Sequence, residues 1–157
     1  YDSALASNDW DMARIHGVAL LDQYPDSAAA RRIGPGLQEV KAKAEAASAG
    51  PMAMDELMAL GQKVYDSACV ACHQATGEGL PGVFPGLKGS AIATGDPAAH
   101  IHIVLFGKAG TAMQAFGKQL SAKELAAVIT YERNAWGNAA GDMVQPADIA
   151  AALAKGE

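Results

Sequence analysis

The chain has 157 residues, with 12 basic and 17 acidic side chains and a formal net charge of −5. This charge argues against nucleic acid and anionic membranes as partners, because both attract a basic face, and no apolar run approaches the roughly 18 residues of a membrane span. Half of the residues are nominally hydrophobic, but 35 of them are alanines, which favour helices and fill little volume. The composition excludes a coiled coil, a disulfide scaffold and a disordered chain, and it predicts helices around a large non-protein group.

The first part of the chain, residues 1–48, is predicted to form a helical hairpin. Asn8 and Asp9 are candidate N-caps of its first helix, and Pro25 ends that helix. Ser27 is the N-cap of a second helix, which we expect to be interrupted at residues 34–36, where the sequence is Gly-Pro-Gly.

The spacing from Asn8 to Pro25 resembles part of a tetratricopeptide repeat. The match covers about one repeat of 34 residues, whereas a stable array needs about three. Further repeats, packing on the second domain or self-association would each complete the array. The alternative is a helical extension with no role of its own.

The rest of the chain is predicted to be a second helical domain, residues 55–157, after a linker at residues 49–54. No convincing strand pattern occurs, so the predicted fold class is all-α. Residues 77–95 are rich in Gly and Pro and are predicted to form a loop that wraps closely round a flat ligand. Helices are predicted over residues 55–66, 97–106, 121–135 and 145–154, the third of them opened by a capping box at Ser121 and Glu124.

The two cysteines of the chain, Cys69 and Cys72, are followed directly by His73. Cys-x-x-Cys-His is the pattern of covalent haem c attachment. Each thiol adds to one haem vinyl group, so the thiols must stand about one helical turn apart, and the next imidazole can then bind the iron.

The motif has three other interpretations. A disulfide leaves the adjacent His73 unexplained, and a thioredoxin-type pair requires a βαβ context that is not visible here. A zinc site needs four ligands, and the later pair, His100 and His102, has the wrong spacing for a zinc finger.

A second axial ligand decides between a carrier and a catalyst, because a His-bound haem iron keeps one face free. Met113 is the strongest candidate: it lies 113 − 73 = 40 residues after His73, beyond a loop and a helix, in a run of small residues. A thioether is neutral and soft, so it favours ferrous iron and raises the reduction potential. The alternative role for Met113 is a gap-filling core residue.

The rival ligands fit less well. Met143 is the second choice, and His100 and His102 lie two residues apart on a predicted helix, so they point to different faces. One of these histidines would then be an ordinary core or surface residue, and the other would neighbour a haem propionate. The alternative is a bis-His site, in which one of them binds the iron opposite His73. The remaining candidates are Met12, Met52, Met54, Met58 and His16.

The loop after the attachment motif offers a partner for the proximal ligand. A ligating His usually donates its other ring N–H to an acceptor, which fixes the ring orientation. The carbonyl of Pro85, 85 − 73 = 12 residues beyond His73, is the candidate acceptor. Lys88, Lys108 and Lys118 lie in the loops expected around the haem, either as a basic rim for an acidic partner or as ordinary solvated charges.

At these residues the sequence resembles a class I cytochrome c over about residues 56–149. Within that class it is most similar to the haem domain appended to subunit II of some bacterial cytochrome oxidases, through residues 111–116, 131–137 and 145–148. The class resemblance rests on Gly61-x-x-x-Tyr65, Cys69-x-x-Cys72-His73, Phe84-Pro85-x-Leu87, Thr111-Ala112-Met113 and Val128-Ile129-Thr130-Tyr131.

The resemblance implies a ligand set and a helix crossing. His73 and Met113 would be the axial ligands, and the Pro85 carbonyl would accept a hydrogen bond from His73. Gly61 and Tyr65 would cross Val128 and Tyr131 near the chain's end. Subunit II also has a two-copper site, which requires two further cysteines, and transmembrane segments; this chain has neither. We therefore expect a free carrier, a tethered module or a piece of a longer protein.

The functional expectation is an electron carrier rather than an enzyme, with one haem c bound covalently through Cys69 and Cys72. It would exchange single electrons with a terminal oxidase, a reductase or a dehydrogenase. The alternative is a haem peroxidase or a small-gas sensor, which requires a displaceable sixth ligand. Because the family attaches haem outside the bacterial cytoplasm, we expect a periplasmic protein, without a signal peptide in this sequence and either free or membrane-tethered. Residues 1–48 would provide a docking or dimerisation surface.

Overall fold

A computed structural model describes residues 1–7 and 9–156, and the predicted N-cap Asn8 lies outside these residues. The regular elements of the described residues are helices, as predicted, with a single isolated β-bridge between Leu80 and Phe84. None of the described helices is long and apolar enough to cross a membrane. The helices are α1 (Asp2–Ala6), α2 (Trp10–Gln23), α3 (Ala28–Ile33), α4 (Leu37–Ala49), α5 (Met54–Ala68), α6 (Val70–His73), α7 (Ala91–Thr94), α8 (Pro97–Phe106), α9 (Ala122–Asn134) and α10 (Pro146–Lys155).

In the N-terminal part of the chain, residues 1–49, two helices begin with a side-chain cap, and a short turn separates the second of them from the next helix. The Asp9 carboxylate accepts a hydrogen bond from the backbone N–H of Met12, at the start of α2. The Ser27 hydroxyl accepts one from the N–H of Ala30, at the start of α3. A 3-10 turn at Gly34–Gly36 separates α3 from α4, at the predicted interruption. The predicted second helix is therefore two helices, α3 and α4, and α2 packs against α4.

Helix α4 also packs against the rest of the protein. Its Ala42 is buried in the same apolar core as Leu57 of α5, Leu125 of α9 and Ile149 of α10. Only residues 50–53 separate α4 from α5, so helices extend into the predicted linker from both sides. Residues 1–49 are therefore in direct contact, through α4, with the core formed by α5, α9 and α10. The division of the chain into two domains remains a prediction.

The crossing of α5 and α9 is the central contact of the second half of the chain. A Cβ atom at Gly61 would lie 2.2 Å from the backbone oxygen of Ala127 and 2.6 Å from Cβ of Tyr131. The two backbones therefore approach as closely as they do because residue 61 has no side chain. The ring centroid of Tyr65, one turn further along α5, lies 5.6 Å from that of Tyr131 and 4.8 Å from that of Trp136. This cluster holds the end of α5, where the cysteine motif begins.

Helix α9 is anchored at both ends. Ser121 and Glu124 form the predicted capping box at its start. Near its end the buried guanidinium of Arg133 donates to both carboxylate oxygens of Asp142, at 2.7 Å each. The same group donates to the carbonyl oxygens of Ala93 and Gly95. Arg133 thus ties the segment from α7 to α8 and the loop before α10 to one helix.

Candidate functional site

A cleft of about 440 Å³ opens between α5–α6, residues 77–95, helix α8, the loop of residues 107–118 and helix α9. Residues 77–95 were predicted to be a loop, but they include the short helix α7, which Ser90 caps with its side chain. Its size is within the range of sites that bury a ligand of several rings, about 300–1,000 Å³. Most of its wall is apolar, as expected for a site that shields a flat, largely hydrophobic group from water. The apolar lining includes Ala68, Val83, Phe84, Leu87, Ile92, Ile103, Val104, Phe116, Leu120 and Val128.

The short helix α6 presents the cysteine motif to this cleft. Cys69, Cys72 and His73 all line it, and the N–H groups of Cys72 and His73 both bond to the Cys69 carbonyl, which closes one helical turn. Gln74 ends α6 with a φ of +62°. The Tyr65 hydroxyl donates to the Gln74 carbonyl at 2.7 Å, so α5 fixes both ends of the motif.

The chemical state of the cysteines argues against two of the other interpretations. Both are free thiols in this structure, so they form no disulfide. Burial, reinforced by the nearby carboxylate of Glu132, raises the pKa of the Cys69 thiol. A thioredoxin-type cysteine needs a lowered pKa instead, because the thiolate is the reactive form.

The zinc interpretation also lacks support. Within residues 1–7 and 9–156, no group of three or more His, Cys, Asp and Glu side chains is arranged to hold a metal ion. A structural zinc site requires four such ligands.

His73 has the backbone partner that its spacing suggested. Its Nδ1 atom lies 2.9 Å from the carbonyl oxygen of Pro85. The loop reaches this position through Gly79, whose N–H bonds to the His73 carbonyl at 2.9 Å and whose φ is +67°. A Cβ atom at Gly79 would lie 2.5 Å from the oxygens of both Phe84 and Pro85. If Nδ1 carries the proton that it donates to Pro85, Nε2 keeps a free lone pair for a metal.

Met113 reaches the same cleft from a separate loop. It is half-buried there and packs against the main apolar core. Its backbone carbonyl accepts from Lys108 N–H at 3.0 Å, and its N–H donates to the Thr111 hydroxyl at 3.2 Å. The loop therefore holds the residue by its backbone and leaves the thioether free.

The rival ligands lie in other places, with one exception. Met143 is 46% exposed and lines a different groove, together with His102. His16 is exposed on α2. Among the methionines of the described residues, only Met113 lines the cleft. The exception is His100, which does line the cleft but whose Nε2 faces Glu132.

The structure also reveals a cleft residue that the sequence analysis missed. Glu132 is buried, lines the cleft and lies 2.8 Å from His100 Nε2. The signal was available in the helix pattern, because Leu125, Val128 and Glu132 follow the i, i+3, i+7 spacing of one α9 face. An acidic residue in an apolar stripe is a candidate for a buried functional group.

Taken together, the cleft residues fit a covalently held haem c. The cleft brings together two thiols one turn apart, an imidazole oriented by a carbonyl and a thioether from another loop, within apolar walls. Imidazole and thioether are the axial ligands of electron-carrying c-type haems.

Comparison with known proteins leads to the same family. Residues 56–131 match the family described as cytochrome c oxidase, cbb3-type, subunit III. The chain is 38% identical over 101 residues to the cytochrome c subunit of gluconate 2-dehydrogenase from Pantoea cypripedii, an alignment that covers 57% of this chain and 23% of that subunit. It is 34% identical over 99 residues to the cytochrome c subunit of alcohol dehydrogenase (quinone) from Gluconobacter oxydans, covering 57% of this chain and 21% of the subunit.

A smaller relative is covered over most of its length. The chain is 34% identical over 93 residues to cytochrome c-552 of Thermus thermophilus, which covers 50% of this chain and 70% of that protein. In contrast, the chain spans only about a fifth of the length of the dehydrogenase subunits. The predicted resemblance to class I cytochrome c and the predicted all-α class are confirmed. The chain belongs to the cytochrome c family, whose members carry covalent haem c.

Proposed function

We propose that this protein carries single electrons on one haem c, which is bound through thioether bonds to Cys69 and Cys72 with His73 and Met113 as axial ligands. The observation that carries the proposal is the convergence of these four side chains on one apolar cleft from two separate segments. The protein would make or break no bond in a substrate. It acts as a carrier, either alone or as a module of a larger oxidoreductase.

The residues of the chain determine how the group would behave. When bound, haem c supplies an iron that changes oxidation state by one electron. The Pro85 carbonyl, 2.9 Å from His73 Nδ1, fixes the orientation of the imidazole. The backbone bonds of Met113 keep its thioether in the cleft. With both axial positions filled, no position is free for peroxide or a gas, which disfavours the peroxidase and sensor alternative.

The partners and the compartment are inferred from the relatives. Two of them are named as cytochrome c subunits of dehydrogenases, and the matched family is described as an oxidase subunit, which supports a dehydrogenase or an oxidase as the electron-exchange partner. We infer a periplasmic location, with or without a membrane tether, from the same relatives. Docking or dimerisation through residues 1–48 remains a prediction.

Ligand exchange at the sixth position tests the proposal against its alternative. We expect the wild-type spectrum in both oxidation states to be low-spin and unchanged by carbon monoxide or cyanide at modest concentration. Met113→Ala opens that position, so its spectrum should become high-spin and respond to both reagents. Met143→Ala is the matched control, because Met143 lies outside the cleft, and it should behave as the wild type. A wild-type protein that readily takes up these reagents would support the peroxidase or sensor function instead.

A further inference from the structure

The wall of the cleft contains a buried ionisable pair that the proposed carrier function does not require. His100 of α8 and Glu132 of α9 have side chains that are only 3% and 5% exposed, and Nε2 and Oε2 are 2.8 Å apart. Both residues line the cleft. Burying such groups is costly, and a well-packed apolar pair of similar volume is often at least as stabilising. Stability alone is therefore a weak explanation for their position.

The two ring nitrogens of His100 have different surroundings. The buried Nδ1 atom of His100 has no hydrogen-bond partner among the residues that the structure describes. A neutral imidazole that donates from Nε2 to the Glu132 carboxylate has a bare lone pair on Nδ1. The residue that carries this nitrogen lines the cleft.

The charged and titratable groups around the pair come from four parts of the fold. Asp142, in the loop before α10, interacts electrostatically with His100 and is paired with Arg133 of α9. Tyr65 and Cys69, at the end of α5, interact electrostatically with Glu132. Lys108 lines the same cleft. Asp142 is paired with Arg133, Tyr65 keeps its own proton because burial raises the pKa of its phenol, and Cys69 has no proton once it forms a thioether. Of these groups, the His100–Glu132 pair is therefore the one that we consider as a proton acceptor.

We propose that His100, supported by Glu132, takes up one proton at Nδ1 when the bound haem c is reduced and releases it on oxidation. This inference rests on the proposed function, because it needs haem c in the cleft. One electron from the redox partner reduces ferric to ferrous iron, and one proton from solvent enters the pair, so the net charge within the cleft is unchanged. Charges interact strongly in such a low-dielectric site, so adding the electron favours adding the proton. The protein would thus couple proton transfer to electron transfer.

The midpoint potential as a function of pH tests the coupling. In the wild type the potential should fall with rising pH, with a slope that approaches 59 mV per tenfold change in proton activity for one proton per electron. The double variant Glu132→Gln with His100→Gln keeps polar side chains but cannot exchange the proton, so this slope should disappear. His102→Gln is the matched control on the same helix, since His102 is exposed outside the cleft, and it should keep the wild-type slope. If the double variant keeps it too, the proton is exchanged elsewhere, as at the haem propionates, and the proposal is wrong.

A second measurement needs no variant, in case the double variant does not fold. Infrared difference spectra of reduced and oxidised wild-type protein with isotope-labelled histidine report imidazole protonation, and haem propionates do not carry the label. Imidazolium bands should grow on reduction, and their absence would overturn the proposal. The visible spectrum of the same sample distinguishes the two levels of inference. A sample without bound haem c contradicts the proposed function as well, whereas a normal low-spin spectrum with a pH-independent potential contradicts the proton coupling alone.

Discussion

The Nδ1 atom of His73 lies 2.9 Å from the carbonyl oxygen of Pro85, and this contact depends on the absence of a side chain at Gly79. Gly79→Ala places a Cβ atom 2.5 Å from the Pro85 oxygen, so the loop must move away from His73. We expect the free energy of unfolding of this variant to be about 1–3 kcal/mol lower than that of the control variant described next. We also expect its low-spin spectrum to shift, because the imidazole loses its fixed orientation.

Gly82→Ala is the matched control for this prediction. Gly82 also has a positive φ, of +78°, but no atom lies within 4 Å of a Cβ built there. The control therefore shares the backbone strain and lacks the collision. Chemical unfolding followed by haem absorbance measures the difference, and equal losses of stability in the two variants would show that Gly79 does not position Pro85.

The α5–α9 crossing predicts that two other glycines, Gly61 and Gly34, differ in how much stability is lost when alanine replaces them. Gly61→Ala forces a Cβ to within 2.2 Å of a backbone oxygen of α9, and a backbone cannot rotate away as a side chain can. We expect a loss of about 1–3 kcal/mol in the free energy of unfolding. Gly34→Ala meets only a Leu21 side-chain atom at 4.0 Å in a helical conformation and should be neutral or slightly stabilising. Thermal unfolding of both variants checks this, and a Gly61→Ala protein as stable as the wild type would contradict the close crossing.

Arg133 and Asp142 predict a pH dependence of stability. The hydrogen bonds from Arg133 hold the pKa of the Asp142 carboxyl below its ordinary value in the folded protein, whereas in the unfolded chain it is near 3.9. The stabilisation is therefore complete above about pH 4 and is lost as the pH falls through the folded-state pKa. Asp142→Asn should cost about 1–3 kcal/mol at pH 7, because buried guanidinium donors lose charged partners, and should flatten the acid limb of the stability curve.

The control for this pH prediction is Asp66→Asn, a change at an exposed position of α5. It should leave both the stability at pH 7 and the acid limb close to those of the wild type. Urea unfolding at a series of pH values between 2.5 and 7, about the range over which the carboxyls titrate, provides the comparison. An Asp142→Asn protein with an unchanged acid limb would show that another carboxyl dominates acid unfolding.

Because α4 shares a core with α5 and α9, a substitution in α4 should change the stability of the part of the protein that holds the haem. Ala42 is only 3% exposed and packs in one cluster with Leu57 and Leu125. Ala42→Leu overpacks that cluster and should lower the stability by about 1–3 kcal/mol, seen in unfolding monitored by haem absorbance. Ala28→Leu, at an exposed position of α3, is the control. If Ala42→Leu leaves the haem-monitored transition unchanged, the front helices are energetically separate from the cytochrome.

Local chemistry explains which parts of the fold and site were predictable. The Ser121–Glu124 capping box and the Pro97 start of α8 depend on residues within one turn, so sequence alone located both helices. The Cys69–His73 spacing is equally local. Glu132 and Arg133 were missed because a charged helical residue normally faces solvent, and their partners, His100, Asp142 and Ala93, come from other parts of the chain. The packing of α4 on α10 is also long-range, and no local pattern encodes it.

Covalent attachment of haem is tested by acid–acetone extraction of the exported protein, followed by the visible spectrum of the pellet in both oxidation states. We expect the colour to stay with the polypeptide, because Cys69 and Cys72 each form a thioether bond, and we expect the double variant Cys69→Ala with Cys72→Ala to release it into the solvent phase. Wild-type protein that loses its colour to the acetone, or that is exported folded and colourless, would contradict covalent haem attachment and the carrier function built on it.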